Sequence, residues 1–410
     1  MKKLTTLLTA LAVISLFGTA FAQLDIGGDI KVLGFWEDNV TDADDDADDQ
    51  EAFLRTETHL WFQADLSDNV TTKISVETDR VWSQDDAEGG QNDLDVFLEE
   101  AWMQMMYLYD SAFSVKLGRQ FVEFGDGFIV GDSNPSSEAT VADKGEWEVD
   151  PFDAVLAWYD GDDWILNLMG AKVVESGIGN DDIDVYGAYF SYSGAEEMVF
   201  DVYGFMAKIK SAYMGITDAD AYWVGARLAG TMVEGLSYKL EGTYEFGDVD
   251  APVEGDISAW AVEAGAKYMF DAEYNPWVGL TYAFLSGDDD PLDDDFEDFM
   301  APFQNRIYGE IADPWVNCNA HIFNLAGGFD VNEDVAVNLK YYYLMAAEDE
   351  VYGGEDEIGH EVDAYLDYQF SEETTATLAA GFFSPGDAVK NVLGTDDEAF
   401  FVRGGIKVEF

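Results

Sequence analysis

The chain predicts an all-β fold, a transmembrane antiparallel β-barrel of about 18 strands preceded by a cleaved signal peptide. Three observations predict it: apolar and polar residues alternate from Asp25 to the C-terminus, the connections alternate between very short and long, and the last strand ends on an aromatic residue, Phe410.

Taken in order, the N-terminus comes first. Lys2 and Lys3 precede a mostly apolar run from Leu4 to Phe17, and Ala20-Phe21-Ala22 is a small-x-small cleavage site, so residues 1–22 read as a leader and residues 23–410 as the barrel. No later stretch approaches the length of a membrane helix, so an α-helical inner-membrane span is not expected. The expected location is the outer membrane of a Gram-negative cell, reached through the periplasm.

The strands follow. Between Phe53 and Phe62, Leu54, Thr56, Thr58, Leu60 and Phe62 share one face, with Arg55, Glu57, His59 and Trp61 on the other. Between Leu236 and Phe246, a face of Leu236, Tyr238, Leu240, Gly242, Tyr244 and Phe246 backs onto Ser237, Lys239, Glu241, Thr243 and Glu245. Alternation is shared with soluble sandwiches, and the connections separate the two. Short turns such as Ser67-Asp68-Asn69 and Val233-Glu234-Gly235 alternate with long acidic loops near 39–51, 83–93, 122–150, 175–182, 211–219, 247–256, 287–317, 347–357 and 385–397. Eight short turns and nine long loops place both termini on the short-turn side, the arrangement of bacterial outer-membrane barrels. In the last strand Phe400, Val402, Gly404, Ile406, Val408 and Phe410 form one apolar face, and such an ending suits recognition by the barrel-assembly machinery. Trp36, Trp82, Trp164 and Phe370 fall at strand ends, where interfacial aromatics belong.

Charge narrows the partners. There are 84 acidic against 20 basic residues, and loss of Lys2 and Lys3 with the leader takes the formal charge from -64 to -66, which excludes nucleic acid. With aromatics at 15% and hydrophobics at 48%, the acidity does not imply disorder. Cys318 is the only cysteine, so neither an intramolecular disulfide nor a cysteine-based zinc site can form.

If the apolar face of each strand meets lipid, parity sends Lys31, Arg55, Lys73, Lys116, Arg227, Lys239, Lys267, Lys340, Arg403 and Lys407 inward as candidate pore-lining residues. Glu57, Glu77, Glu241, Glu245, Glu263, Glu361, Asp363, Asp367 and Glu409 accompany them. Two readings stay open: ion pairs that support the wall, or a polar ladder for a solute. Val199 to Lys210 resists the rule, because Asp201 and Lys208 come out on opposite faces. The remaining negative charge concentrates in Asp42 to Glu51, Asp288 to Asp298 and Glu348 to Glu357, an acidic mouth that attracts cations and could hold divalent ones loosely, although residues 287–299 lack the glycine-centred spacing of a calcium loop. The three histidines, His59, His321 and His360, each lie in a strand pattern without a nucleophile motif. No catalytic residue, cofactor or metal centre is expected.

Leu117-Gly118-Arg119-Gln120, followed by Phe124-Gly125-Asp126-Gly127, Gly131-Asp132 and Phe152-Asp153, resembles the alginate-export family of outer-membrane barrels. Further matches are Leu285-Ser286-Gly287-Asp288 leading to Ala301-Pro302-Phe303, and Gly359-His360-Glu361-Val362-Asp363 through Gly381-Phe382-Phe383-Ser384-Pro385-Gly386. The resemblance implies an eighteen-stranded barrel. It departs from the family at Phe128, where an arginine is usual, and its basic residues are few for a polyuronate path. Gly118, Gly125 and Gly127 fit turn geometry, and Arg119, Gln120, Gly125, Asp126 and Gly127 mark loop 122–150 as the candidate constriction, with 287–317 second. The expectation is a monomeric or trimeric porin for small hydrophilic or charged solutes, in contact with outer-membrane lipid and lipopolysaccharide. The alternatives are an exporter of an anionic, alginate-like polysaccharide, or a closed barrel whose acidic loops bind cations or partners.

Overall fold

The computed structural model describes residues 23–40, 50–82, 96–133, 149–175, 182–210, 218–251 and 254–410. Residues 1–22, expected to be a leader, and most of the acidic stretch 42–51 lie outside the described residues. The strands are β1 (Gln23–Asp38), β2 (Glu51–Ser67), β3 (Val70–Val81), β4 (Phe97–Met105), β5 (Phe113–Gln120), β6 (Phe152–Asp160), β7 (Trp164–Val174), β8 (Ile183–Ala195) and β9 (Met198–Ile209). They continue as β10 (Asp218–Val233), β11 (Leu236–Ala251), β12 (Gly255–Met269), β13 (Trp277–Leu285), β14 (Asp295–Phe296), β15 (Ala320–Asn332), β16 (Val335–Ala346), β17 (Glu357–Ser371), β18 (Thr374–Pro385) and β19 (Ala399–Glu409).

All but β14 form a closed antiparallel wall of 18 strands. Closure runs through β1, which pairs with β2 on one side and β19 on the other, with Lys31 opposite Lys407 and Phe35 opposite Arg403. Gly28 and Phe410 exchange both backbone hydrogen bonds, at 3.0 and 2.9 Å, so the last residue completes the seam. A closed wall leaves no backbone donor or acceptor facing hydrocarbon, the condition a spanning sheet must meet. The two-residue β14 runs parallel to the start of β12, within the loop that follows β13.

Alternation decides which side each residue faces. Leu24, Ile26, Ile30 and Val32 of β1 are exposed on the lipid side, whereas Lys31, Leu33 and Phe35 are buried inside. Val402, Ile406 and Val408 of β19 are exposed outward and Phe401 and Arg403 are buried inward. Trp36, Trp82, Trp164 and Phe370 are all exposed, as interfacial residues are. On β9 the even residues Phe200 and Val202 face out, and Asp201, Tyr203, Phe205, Ala207 and Ile209 are buried inside. Asp201 and Lys208 therefore do lie on opposite faces. Lys208 escapes hydrocarbon by sitting one residue from the outer end of the strand.

Three expectations need correction. Residues 247–256 are mostly strand, because β11 reaches Ala251 and β12 begins at Gly255. Loop 385–397 contains a short helix, α1 (Asp387–Leu393), ended by Gly394 at φ 83°. Gly118, read as turn geometry, lies inside β5 at φ 120°, where a Cβ would come within 2.2 Å of the Ala101 carbonyl oxygen. Only glycine permits that approach.

The wall is uneven. β10, β11 and β12 have 16, 16 and 15 residues, whereas β4, β5 and β6 have 9, 8 and 9 and β13 has 9. About 9–11 residues suffice to cross the hydrocarbon. The long strands thus project beyond the membrane, and the two longest loops leave from the low stretches, β5–β6 and β13–β15.

Candidate functional site: two loops folded into the lumen

The loop after β5 turns inward on its signature residues. Gly125 and Gly127 adopt φ 63° and 72°, and a Cβ on Gly127 would lie 1.8 Å from Asn305 Oδ1. Phe124, between them and the wall, stacks on Tyr189 at 5.0 Å and packs against Phe205 at 5.5 Å. With the backbone held this way, the one side chain presented between the glycines is Asp126.

The loop after β13 joins it. Val130 bridges to Phe303, the Gly131 and Asp132 N–H groups donate to the Phe303 carbonyl at 2.7 and 2.9 Å, and Asn305 N–H donates to the Gly127 carbonyl at 3.0 Å. The wall holds this second loop through buried groups. Trp223 Nε1 donates to the Met300 carbonyl at 2.9 Å, Glu245 accepts the Met300 N–H at 2.8 Å, and Glu361 accepts the Ile311 and Ala312 N–H groups at 2.8 Å each. Val122, Phe128, Val130, Phe299, Phe303, Ile311 and Val316 pack with wall residues Phe205, Trp223, Ile322, Leu344 and Phe383 into one buried apolar cluster inside the barrel. The inner face is therefore not polar throughout, as parity alone would have it. Where the two loops lie against it, much of it is apolar.

Below this apolar layer the charges converge. Asp126 pairs with Arg227 at 2.8 Å, Arg306 at 3.5 Å and Lys239 at 3.7 Å. Arg227 also holds Asp201 at 2.9 Å, and both Lys239 and Arg306 reach Glu263 at 2.5 Å. Tyr203 and Tyr308 donate to Glu241 at 2.9 Å and Glu263 at 3.1 Å. Burial alone would raise the Asp126 carboxyl, but Arg227, Arg306 and Lys239 outweigh it and hold the group below the ordinary carboxylate value. A second group forms where Glu310 accepts from Tyr365 at 2.6 Å and pairs with Arg403 at 3.4 Å.

The other sequence-derived candidates fall around these. Lys31 and Arg55 both pair with Glu57, at 3.4 and 3.0 Å, Arg55 also meets Asp79 at 2.8 Å, and Lys73 pairs with Glu100. Lys116, Lys267 and Lys340 lie over the rings of Trp102, Trp277 and Tyr365 at 4.2, 4.1 and 4.8 Å. Lys407 pairs with Glu409 at 2.8 Å, near the periplasmic rim. Arg119 and Gln120 belong to β5 rather than the loop: Gln120 is fully buried and clamps the Gly118 and Ala154 carbonyls at 3.1 and 3.0 Å, while Arg119 reaches Asp153 at 3.5 Å and lines a cavity. That cavity, 590 Å³, runs between the first loop and the β1–β5 side of the wall, past Lys31, His59, Glu77, Glu99 and Glu123. His321 and His360 face outward, hydrogen-bonded to Tyr282 at 2.9 Å and Tyr341 at 2.7 Å.

Sequence reasoning missed Arg306, Tyr308 and Glu310, because they were assigned to an outer acidic loop. It also missed Glu99, beside the expected Glu77. A signal for Glu99 existed: Glu99-Glu100 places two carboxylates in succession in a strand, and regular alternation would send one into lipid.

No curated protein matches the chain. Among solved structures, OccK11 (OpdR) of Pseudomonas aeruginosa superposes with a TM-score of 0.59 at 10% identity, covering 95% of this chain and 96% of that one. OccK8 (OprE) of the same organism gives 0.59 at 11% identity, covering 95% and 98%. OccK5 (OpdH), also from that organism, gives 0.57 at 9% identity, covering 94% and 98%. These likenesses are of fold. The model of the alginate export family matches residues 22–403, almost the whole barrel, and the chain belongs to that family of outer-membrane β-barrels.

Proposed function

We propose that the protein is a porin through which small hydrophilic or charged solutes diffuse passively across the outer membrane. The observation that carries this reading is the charged layer inside the barrel. Two loops fold inside the wall and present Asp126 and Arg306 to Arg227, Lys239 and Glu263, beside a cavity lined by charged side chains. A barrel serving only to display its surface loops has no use for a charged layer at that depth. Lys31, Arg55, Glu57, Lys73, Glu77, Lys116, Lys340, Arg403 and Lys407 are taken as lining residues on the same basis. The acidic outer loops, including Asp288, Asp289 and Glu297, raise the local cation concentration and favour cations over anions. Residues 1–22 serve as the secretion leader, and Phe410, 64% exposed at the seam, serves as the assembly signal.

Three inner lysines lying against aromatic rings favour a second reading, a path for an anionic polysaccharide, since rings and cations together suit sugar acids. Single-channel recording of the purified protein in a planar bilayer under a salt gradient separates the readings. Steady conductance with cation preference supports the porin, anion preference supports the polyanion path, and absence of conductance overturns both.

A further inference from the structure

On the inner wall, three neighbouring strands bring together a histidine and two carboxylates. His59 on β2 stands directly opposite Glu77 on β3 in the strand register. Glu99 on β4 reaches the same point through a β-bulge: Ser75 pairs with Glu100 and Val76 with Leu98, so Glu99 is the extra residue. Regular pairing would aim Glu99 and Glu100 to opposite faces. The bulge re-aims Glu99 inward, and both it and Glu77 line the 590 Å³ cavity with His59. One ligand atom from each of the three lies within 4.8 Å of the others.

The histidine is held from behind. Its Nδ1 lies 3.4 Å from Asp29 Oδ2 on β1, and its Nε2 faces Glu77 Oε1 at 3.7 Å. Two metal–ligand bonds of about 2.1 Å enclosing about 120° separate their donor atoms by about 3.6 Å. A carboxylate orienting the far nitrogen of an imidazole is the usual support behind a metal-bound histidine.

We propose that His59, Glu77 and Glu99 form a binding site for a divalent transition-metal cation of the zinc class, with Asp29 as the positioning residue. Imidazole with two carboxylates suits zinc, cobalt or iron, whereas calcium and magnesium prefer oxygen donors alone. The outer cluster of Asp288, Asp289 and Glu297 offers only oxygens and does not share this selectivity. The site belongs to the wall of the barrel, so its test does not depend on whether the channel conducts.

The test is a titration of the purified, folded protein with Co²⁺, reading the visible absorption of the bound ion, then with Zn²⁺ in competition. One equivalent of Co²⁺ gives the spectrum of a low-coordinate nitrogen–oxygen site, Zn²⁺ displaces it, and a large excess of Ca²⁺ does not. His59→Gln and Glu99→Gln abolish the spectrum, Asp29→Asn weakens binding about tenfold, and His321→Gln, on the outer face, leaves it unchanged. Heat-modifiable migration on gels verifies that each variant is folded. Absence of a Co²⁺ spectrum in the unaltered protein overturns the proposal, whatever the variants do, and leaves His59 as a cation paired with Asp29 and Glu77. An undiminished spectrum in folded His59→Gln overturns it equally.

Discussion

Replacing Asp126 by asparagine keeps the shape of the turn and removes one negative charge from the proposed constriction. Asp126 faces Arg227, Arg306 and Lys239 at 2.8, 3.5 and 3.7 Å and borders a 360 Å³ cavity that also holds Lys267. For an ion passing about 8 Å away in water, one unit charge is worth about 0.5 kcal/mol, a factor of about 2.4 in occupancy. The factor acts in opposite directions on K⁺ and Cl⁻, so Asp126→Asn lowers the cation-to-anion permeability ratio about sixfold. The assay is the reversal potential in a KCl gradient at pH 7. Because the carboxyl is held below its ordinary value, it stays ionised well into acid, and the difference between variant and parent persists there. In stability terms a lowered folded-state value means that the contribution is present above the unfolded carboxylate value and lost as pH falls through the folded one. An unchanged reversal potential at unchanged conductance would refute the placement of Asp126 beside the permeation path.

Gly127→Val brings a side chain into Asn305 at a positive φ, costing about 1–3 kcal/mol, and is expected to free the first loop and raise single-channel conductance. Deleting residues 126–140 is expected to do the same more strongly. Glu361→Ala strands two N–H groups of the second loop, at about 1–3 kcal/mol each, and should make residues 300–316 cleavable by protease in the folded barrel. Burial, with neighbouring carboxylates, raises the carboxyls of Asp288 and Asp298 in the outer loop, so acidification neutralises them before Asp126. Cation preference measured at low salt is therefore expected to fall as the pH is lowered, before Asp126 is protonated, and the fall should vanish near 1 M salt, where the Debye length is about 3 Å. Lys340→Glu is expected to increase cation preference, and an unchanged reversal potential would remove Lys340 from the lining.

Which face each strand turns to lipid is a local matter, since a period of two follows from the extended backbone itself. Arg55 and Glu57 inside, Leu54 outside, and the apolar outer face of β19 ending at Phe410 could all be read from neighbouring residues. Connection lengths, equally local, carried the strand number and the side on which the termini lie. The glycines around Asp126 marked a special turn, but nothing nearby in the chain says that Arg227, 101 residues away, and Arg306, 180 residues away, meet that carboxylate. Those contacts depend on two loops packing apolar side chains against a closed wall, which exists only once all 18 strands have joined. Glu99 shows the same limit at short range. Its side chain turns inward because β4 carries one residue more than β3 across a bulge, a property of the pairing between two strands rather than of either strand alone.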